Sequence, residues 1–234
     1  MKVCILDNDV LDPVVAPTYI SYGAMFERLL REAGADWTLD IFNTTQGHYP
    51  ESFADYDAVL LTGSKADSFS QEPWVLELRH RVQGILAAKQ KLVGVCFGHQ
   101  LVGLCLGAKV GRAPQGWGSG RMTYEWLAPD FPQAQGRQEV SLLASHQDQV
   151  LELPAGAQLL ATSDFCPVAA YSVGEHVFCV QAHPEFVEAY SGFILDKRRA
   201  ILGEAIYQNG IDSLANGHDG VQVARMMVAF VEGK

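Results

Sequence analysis

The residues best suited by type and spacing to do chemistry are Cys96, His183 and Glu185. Cys96 lies in Leu92-Val93-Gly94-Val95-Cys96-Phe97-Gly98-His99-Gln100, where a short apolar run meets a Gly-x-Cys-x-Gly turn and then a helical pattern. Glycines on both sides of a nucleophile permit a tight strand-to-helix turn, the geometry that exposes the serine of many hydrolases. Such a turn lifts the sulfur above the carboxyl end of a sheet, where α/β proteins place their ligands. It also sets the sulfur at a helix N-terminus, whose partial positive charge favours thiolate over thiol. Taken alone, the same turn also suits a small buried core cysteine.

A nucleophilic cysteine needs a base, and the base needs a group to orient it. His183-Pro184-Glu185 supplies both, directly after an apolar strand pattern from Val177 to Gln181. Residues two apart at a strand end can point to the same side, and Pro184 stiffens the backbone between them. A carboxylate on one imidazole nitrogen fixes the tautomer and stabilises the imidazolium as it forms. The other four cysteines offer no such surroundings. Cys4 and Cys179 fall inside apolar strand patterns, Cys105 on the apolar side of a helix and Cys166 in a loop before Pro167, so they read as structural. His99, in the first turn of the elbow helix, reads as a packing residue. Asp7 and Asp9, just past the first strand, read as a solvated turn. His48, His80, His176 and His218 lack any partner pattern and read as surface or loop residues.

The elements that must hold these residues follow from periodicity. Residues 2–7 form a buried-strand pattern, and residues 22–33 carry Met25, Phe26, Leu29 and Leu30 at helical spacing before Gly34. Trp37 to Phe42 alternates like a strand, and Ala58 to Leu61 is a short apolar run closed by Thr62-Gly63-Ser64. Pro73 to Leu86 has helical periodicity with proline in its first turn. Leu92 to Val95 is a strand, and Gly98 to Leu106 begins a helix. The resulting β-α-β-β-α-β-α order predicts an α/β fold, a doubly wound and mostly parallel sheet with helices on both faces. From about 108 to 182 short strand patterns alternate with Gly, Pro and Asp: Met122 to Leu127, Glu139 to Ala144, Gln158 to Thr162, Val168 to Tyr171 and His176 to Gln181. Val173-Gly174-Glu175 reads as a hairpin turn, and this stretch predicts an antiparallel-rich half. From about 190 a helical tail runs to 232, with breaks expected near Asn209-Gly210 and around Asn216 to Gly220. No linker divides the chain, so residues 1–234 read as one domain with 190–234 as a helical extension.

Composition narrows the function classes. With 234 residues, 48% hydrophobic and 19% charged, the chain can build a sizeable core. A net charge of −10 with no basic stripe argues against nucleic acid and anionic membranes. MKVCILDNDV reads as a first strand and not as a leader, and no apolar stretch approaches the roughly 20 residues that span a bilayer. Five cysteines with no C-x-x-C pair disfavour a disulfide framework or a zinc site and point to a reducing cytoplasm, and no cofactor or metal is expected.

Gly94-Val95-Cys96-Phe97-Gly98-His99-Gln100 followed by His183-Pro184-Glu185 resembles the class I (triad) glutamine amidotransferase family. Thr62-Gly63-Ser64 resembles its glycine loop, and Ser145-His146-Gln147-Asp148 resembles its S-H-x-D segment, with all four motifs in family order. The resemblance covers residues 1 to about 187 and implies a flavodoxin-like fold and hydrolysis of the glutamine side-chain amide through a Cys96 thioester. It implies that the backbone N–H groups of Phe97 and of Gly63 or Ser64 hold the oxyanion. It also places Gln100, Ser145 and His146 near the substrate. The chain carries no P-loop and no S-G-G-x-D-S segment, so any synthetase that receives ammonia would be a separate partner. The segment from Thr62 to Trp74 and the helical tail resemble stand-alone members of the family, some of which are γ-glutamyl peptidases. The readings are therefore a glutaminase or ammonia donor, a γ-glutamyl peptidase, or a silent regulatory protein on the same fold.

Overall fold

The computed structural model describes residues 1–234 and builds them around a nine-stranded sheet. Five strands form its parallel half: β1 (Lys2–Asp7), β2 (Thr38–Asn43), β3 (Ala58–Leu61), β4 (Lys91–Val95) and β11 (Val177–Val180), in the order β2-β1-β3-β4-β11. Each of these pairs is in parallel register, for example Leu60 beside Val93 and Cys179 beside Gly94. The antiparallel half continues the sheet through β10 (Ala170–Val173), β9 (Gln158–Thr162), β6 (Gly118–Trp126) and β7 (Glu139–His146). Two three-residue strands, β5 (Val110–Arg112) and β8 (Asp148–Val150), pair separately. The doubly wound α/β expectation and the antiparallel second half both hold.

The strand period of two sorts the apolar residues into two cores. Val3 and Ile5, Ala58 and Leu60, Val93 and Val95, and Phe178 and Val180 face one core. Helix α2 (Tyr22–Glu32) and helix α7 (Gly220–Glu232) cover it with Phe26, Leu30, Met227 and Phe230. Cys4 and Leu6, Val59 and Leu61, Leu92, and Val177 and Cys179 face the other. Helix α3 (Pro73–Ala87) and helix α4 (Phe97–Cys105) cover that face with Val75, Leu78, Val82 and Leu101. Strands buried on both sides carry near-continuous apolar runs, which makes them conspicuous in the sequence.

Several expectations need correction. The tail does not break at Asn209-Gly210. Helix α5 (Glu188–Leu202) ends at Gly203, whose φ of 75° and ψ of 158° lie outside the helical region, and helix α6 (Glu204–Ser213) runs straight through Gly210. Gly210 is a packing glycine: a Cβ there would sit 2.7 Å from Leu195 Cδ2, and a Cβ on Gly120 of β6 would sit 2.6 Å from Gly210 Cα. The second break, near 216–220, holds. The strand expected at Val168 to Tyr171 lies instead at Ala170–Val173, after a turn in which the Ser163 N–H donates to the Cys166 carbonyl at 3.0 Å and the Thr162 hydroxyl to the Pro167 carbonyl at 2.9 Å. A four-residue helix, α1 (Ala16–Tyr19), and the strands β5 and β8 are too short to show periodicity.

Candidate active site

The sequence climbs out of β4 directly into Cys96, which takes φ 52° and ψ −102° before α4 begins. A non-glycine residue in that region stores roughly 1–3 kcal/mol of strain and persists only where its surroundings hold it. Here the Cys96 N–H donates to the Val180 carbonyl at 3.0 Å, and the Cys96 carbonyl accepts the Gln100 N–H at 3.0 Å. The flanking glycines are needed for close approach. A Cβ on Gly98 would lie 2.6 Å from both Leu61 Cβ and Leu61 O, and a Cβ on Gly94 would lie 2.8 Å from the Gly98 carbonyl carbon. The first turn of α4 therefore rests on bare backbone at the ends of β3 and β4.

His183 follows β11, the strand next to β4, and its N–H donates to the Leu143 carbonyl of β7 at 2.8 Å. Its Nδ1 lies 2.7 Å from Glu185 Oε1, and both side chains are almost wholly buried. The Phe186 ring stacks on the imidazole at 3.9 Å between centroids. Burial opposes a charge on His183, yet Glu185 and Cys96 outweigh it and push the imidazole pKa up to about 10. Burial pushes the thiol pKa of Cys4, Cys166 and Cys179 up to about 12 and that of Cys105 up to about 11.

Gly63 joins the two halves of this arrangement. A Cβ there would lie 2.7 Å from His183 Cε1 and 3.6 Å from Cys96 Cβ. Neither Gly63 nor Ser64 donates its N–H within the protein. The Phe97 N–H is the first of α4 and has no intrahelical acceptor. Asp7 and Asp9 do not form a solvated turn, since both are buried. Asp9 accepts the Lys65 N–H at 2.8 Å and Lys65 Nζ at 2.7 Å, which pins the loop after Gly63. Asn8 bonds Thr62 from both backbone and side chain, and Asp7 accepts the Gly23 N–H at 3.0 Å. Burial raises the Asp7 pKa.

A small pocket of about 50 Å³ lies over Cys96, and Ser64, Gln100, Ser145 and His146 all contribute to its wall. Gln100 Nε2 donates to the Asp148 carbonyl at 2.8 Å and lies 3.2 Å from Gln181 Oε1. His146 is held neutral, with burial first and the His183 charge second pushing its pKa down to about 3. Its Nδ1 lies 3.2 Å from the Asp148 carbonyl, and its Nε2 faces the Gly118 backbone. His99 is neutral as well, burial pushing it down to about 3, with its ring against Tyr171 and its carbonyl accepting the Tyr171 hydroxyl at 2.8 Å. A larger cavity of about 550 Å³ opens beside Lys91, at the opposite end of β4 from Cys96.

Sequence reasoning missed four residues on the pocket wall that bear on its chemistry: Lys65, Arg112, Trp117 and Arg198. Arg112 bonds Asp148 at 2.6 Å and Asp67 at 3.0 Å. Arg198 comes from α5, a hundred residues from the elbow, and no local pattern marks it. Only the Lys65 to Asp67 segment lies close enough to a motif to be suspected from sequence.

A cysteine elbow, a carboxylate-paired histidine and free N–H groups meet at the carboxyl end of a doubly wound sheet, where α/β proteins place their ligands. The chain belongs to the class-I glutamine amidotransferase family, whose model matches residues 14–193. It is similar to γ-glutamyl peptidase 3 of Arabidopsis thaliana, 34% identical over 78% of this chain and 76% of the relative. It is 31% identical to γ-glutamyl peptidase 2 of the same plant over 94% of this chain and 91% of the relative. A glutamine-hydrolysing GMP synthase component of Haloarcula marismortui is 34% identical over 71% of this chain and 81% of its own. Among solved structures, a glutamine amidotransferase from Thermotoga maritima superposes with a TM-score of 0.80 at 19% identity, covering 99% of this chain and 98% of its own. No helix is long and apolar enough to cross a membrane.

Proposed function

We propose that the protein is a cysteine hydrolase of γ-glutamyl amides, with Cys96 as nucleophile, His183 as acid and base, and Glu185 as the residue that orients His183. The observation that carries this reading is the buried 2.7 Å contact between His183 and Glu185, placed under Gly63 beside the strained Cys96. Cys96 Sγ attacks the γ-carbonyl carbon, and the oxygen becomes an oxyanion held by the N–H groups of Phe97 and of Gly63 or Ser64. Such donors typically contribute about 2.7–4 kcal/mol each. The C–N bond then breaks, and His183, charged at neutral pH, gives its proton to the departing amine. Water attacks the resulting γ-glutamyl thioester, His183 takes the proton, and glutamate leaves as the C–S bond breaks.

The leaving group favoured is an amino acid or peptide amine. γ-Glutamyl peptidase 2 aligns along 94% of the chain and γ-glutamyl peptidase 3 along 78%, whereas the Haloarcula GMP synthase relative aligns along 71%. Glutamine, with ammonia leaving, is the second reading and rests on that synthase relative. Five unpaired cysteines support work in a reducing compartment such as the cytoplasm. The test is hydrolysis of glutamine and of γ-glutamyl dipeptides, following ammonia and glutamate, beside Cys96→Ala. Glutamate from the dipeptides at a higher kcat/KM than from glutamine is the expected result. Ammonia from glutamine alone would select an amidotransferase that serves a separate synthetase, and turnover of neither would leave a binding protein on the same fold.

A further inference from the structure

The Cys96 pocket has three cationic side chains on its wall, and their partners differ. Lys65 is neutralised by Asp9 at 2.7 Å. Arg112 is neutralised twice, by Asp148 at 2.6 Å and by Asp67 at 3.0 Å. Arg198 has no carboxylate partner. Its Nη1 donates to the Ser145 hydroxyl at 2.6 Å and to the Ser145 carbonyl at 3.1 Å, both uncharged acceptors. The guanidinium carbon lies 4.8 Å from the centroid of the Trp117 ring, also on the pocket wall. A half-buried guanidinium anchored on one nitrogen and stacked on one face is oriented in advance. Its Nη2 and Nε donate to nothing in the protein, which leaves the edge that grips a carboxylate in a fork available.

From this juxtaposition we infer that Arg198, stacked on Trp117, is a specificity residue that binds a carboxylate of the substrate. The inference rests on the γ-glutamyl reading of the site and narrows it to substrates bearing that carboxylate. A γ-glutamyl dipeptide offers two, the α-carboxylate of its glutamyl part and the C-terminal carboxylate of its leaving group. Arg198 lies beyond residues 14–193, the part of the chain that the family model matches. The site is thus completed by the helical extension, which brings α5 against β7 and makes residues 190–234 part of one working unit.

The test compares wild type, Arg198→Gln and Arg198→Lys on three substrates. These are γ-glutamylglycine, γ-glutamylglycinamide without the C-terminal carboxylate, and 4-aminobutyrylglycine without the α-carboxylate. Arg198→Gln is expected to lower kcat/KM about 10- to 100-fold on the two substrates that carry the bound carboxylate and to leave the third nearly unchanged. The spared substrate identifies which carboxylate is held, and Arg198→Lys should restore part of the loss. Equal losses on all three substrates, or no loss on any, would overturn the inference. If wild type cleaves none, the hydrolase reading has failed, and calorimetry then tests the contact alone. In that event γ-glutamylglycine should bind Cys96→Ala at least tenfold more tightly than the Cys96→Ala, Arg198→Gln double variant, and equal affinity refutes the contact.

Discussion

At the residue scale His183 keeps its charge although it is buried. Its pKa of about 10 lies above the ordinary value of 6.5, held there against burial by Glu185 and Cys96. A group raised in this way stabilises the fold fully below about pH 6.5 and loses that contribution as pH rises through about 10. The wild-type minus Glu185→Gln difference in unfolding free energy should therefore shrink between those limits, as measured by urea melts across pH. Glu185→Gln should also lower kcat about 10²- to 10⁴-fold and move the alkaline limb of kcat/KM downward. An unchanged limb would mean that Glu185 does not set the histidine's charge. Gly63→Ala tests a different residue in the same place, because its Cβ would meet His183 Cε1 at 2.7 Å. It should depress turnover more than it lowers the melting temperature. Cys96, His183 and Glu185 are legible in the sequence because each lies in a short motif whose residue types share one chemical purpose. Asp9 is easily misread because a carboxylate after a strand usually meets water, whereas here it is buried and accepts the N–H and ammonium of Lys65, a residue that itself stays exposed.

At the element scale the elbow depends on backbone contact between α4 and the ends of two strands. Gly98→Ala would drive a Cβ into the Leu61 backbone, which cannot rotate away. It should cost about 1–3 kcal/mol or more in a denaturant titration and abolish activity even in the folded fraction. Gly120→Ala should be similarly costly, since Gly120 has φ 76° and touches Gly210 of α6. The long elements are readable because apolar residues repeat at clear periods over four or more residues. Strands β5 and β8, at three residues each, carry no measurable period. Gly210 reads as a breaker because glycine's packing role appears only when the facing strand is known.

At the scale of the molecule, the tail is part of the core and not an appendage. Met226, Met227 and Phe230 of α7 are buried against the same cluster as Val3, Ile5 and Val95. A chain ended after Leu202 would uncover that cluster, so it should lose cooperative unfolding and bind a hydrophobic dye. Retention of a sharp transition would contradict the role given to α7. The doubly wound order is legible from element sequence alone, because right-handed parallel crossovers leave few arrangements. The contribution of α5 to the pocket is not, because Arg198 reaches Ser145 only through the tertiary fold.

The central claim is that Cys96 carries the γ-glutamyl group during turnover, and intact mass spectrometry of acid-quenched reactions tests it most directly. With a γ-glutamyl dipeptide in excess, the wild-type protein should gain the mass of one γ-glutamyl group, located on the peptide that contains Cys96. Cys96→Ala should gain nothing and release no glutamate. An adduct on any other residue, or full turnover by Cys96→Ala, would contradict the account.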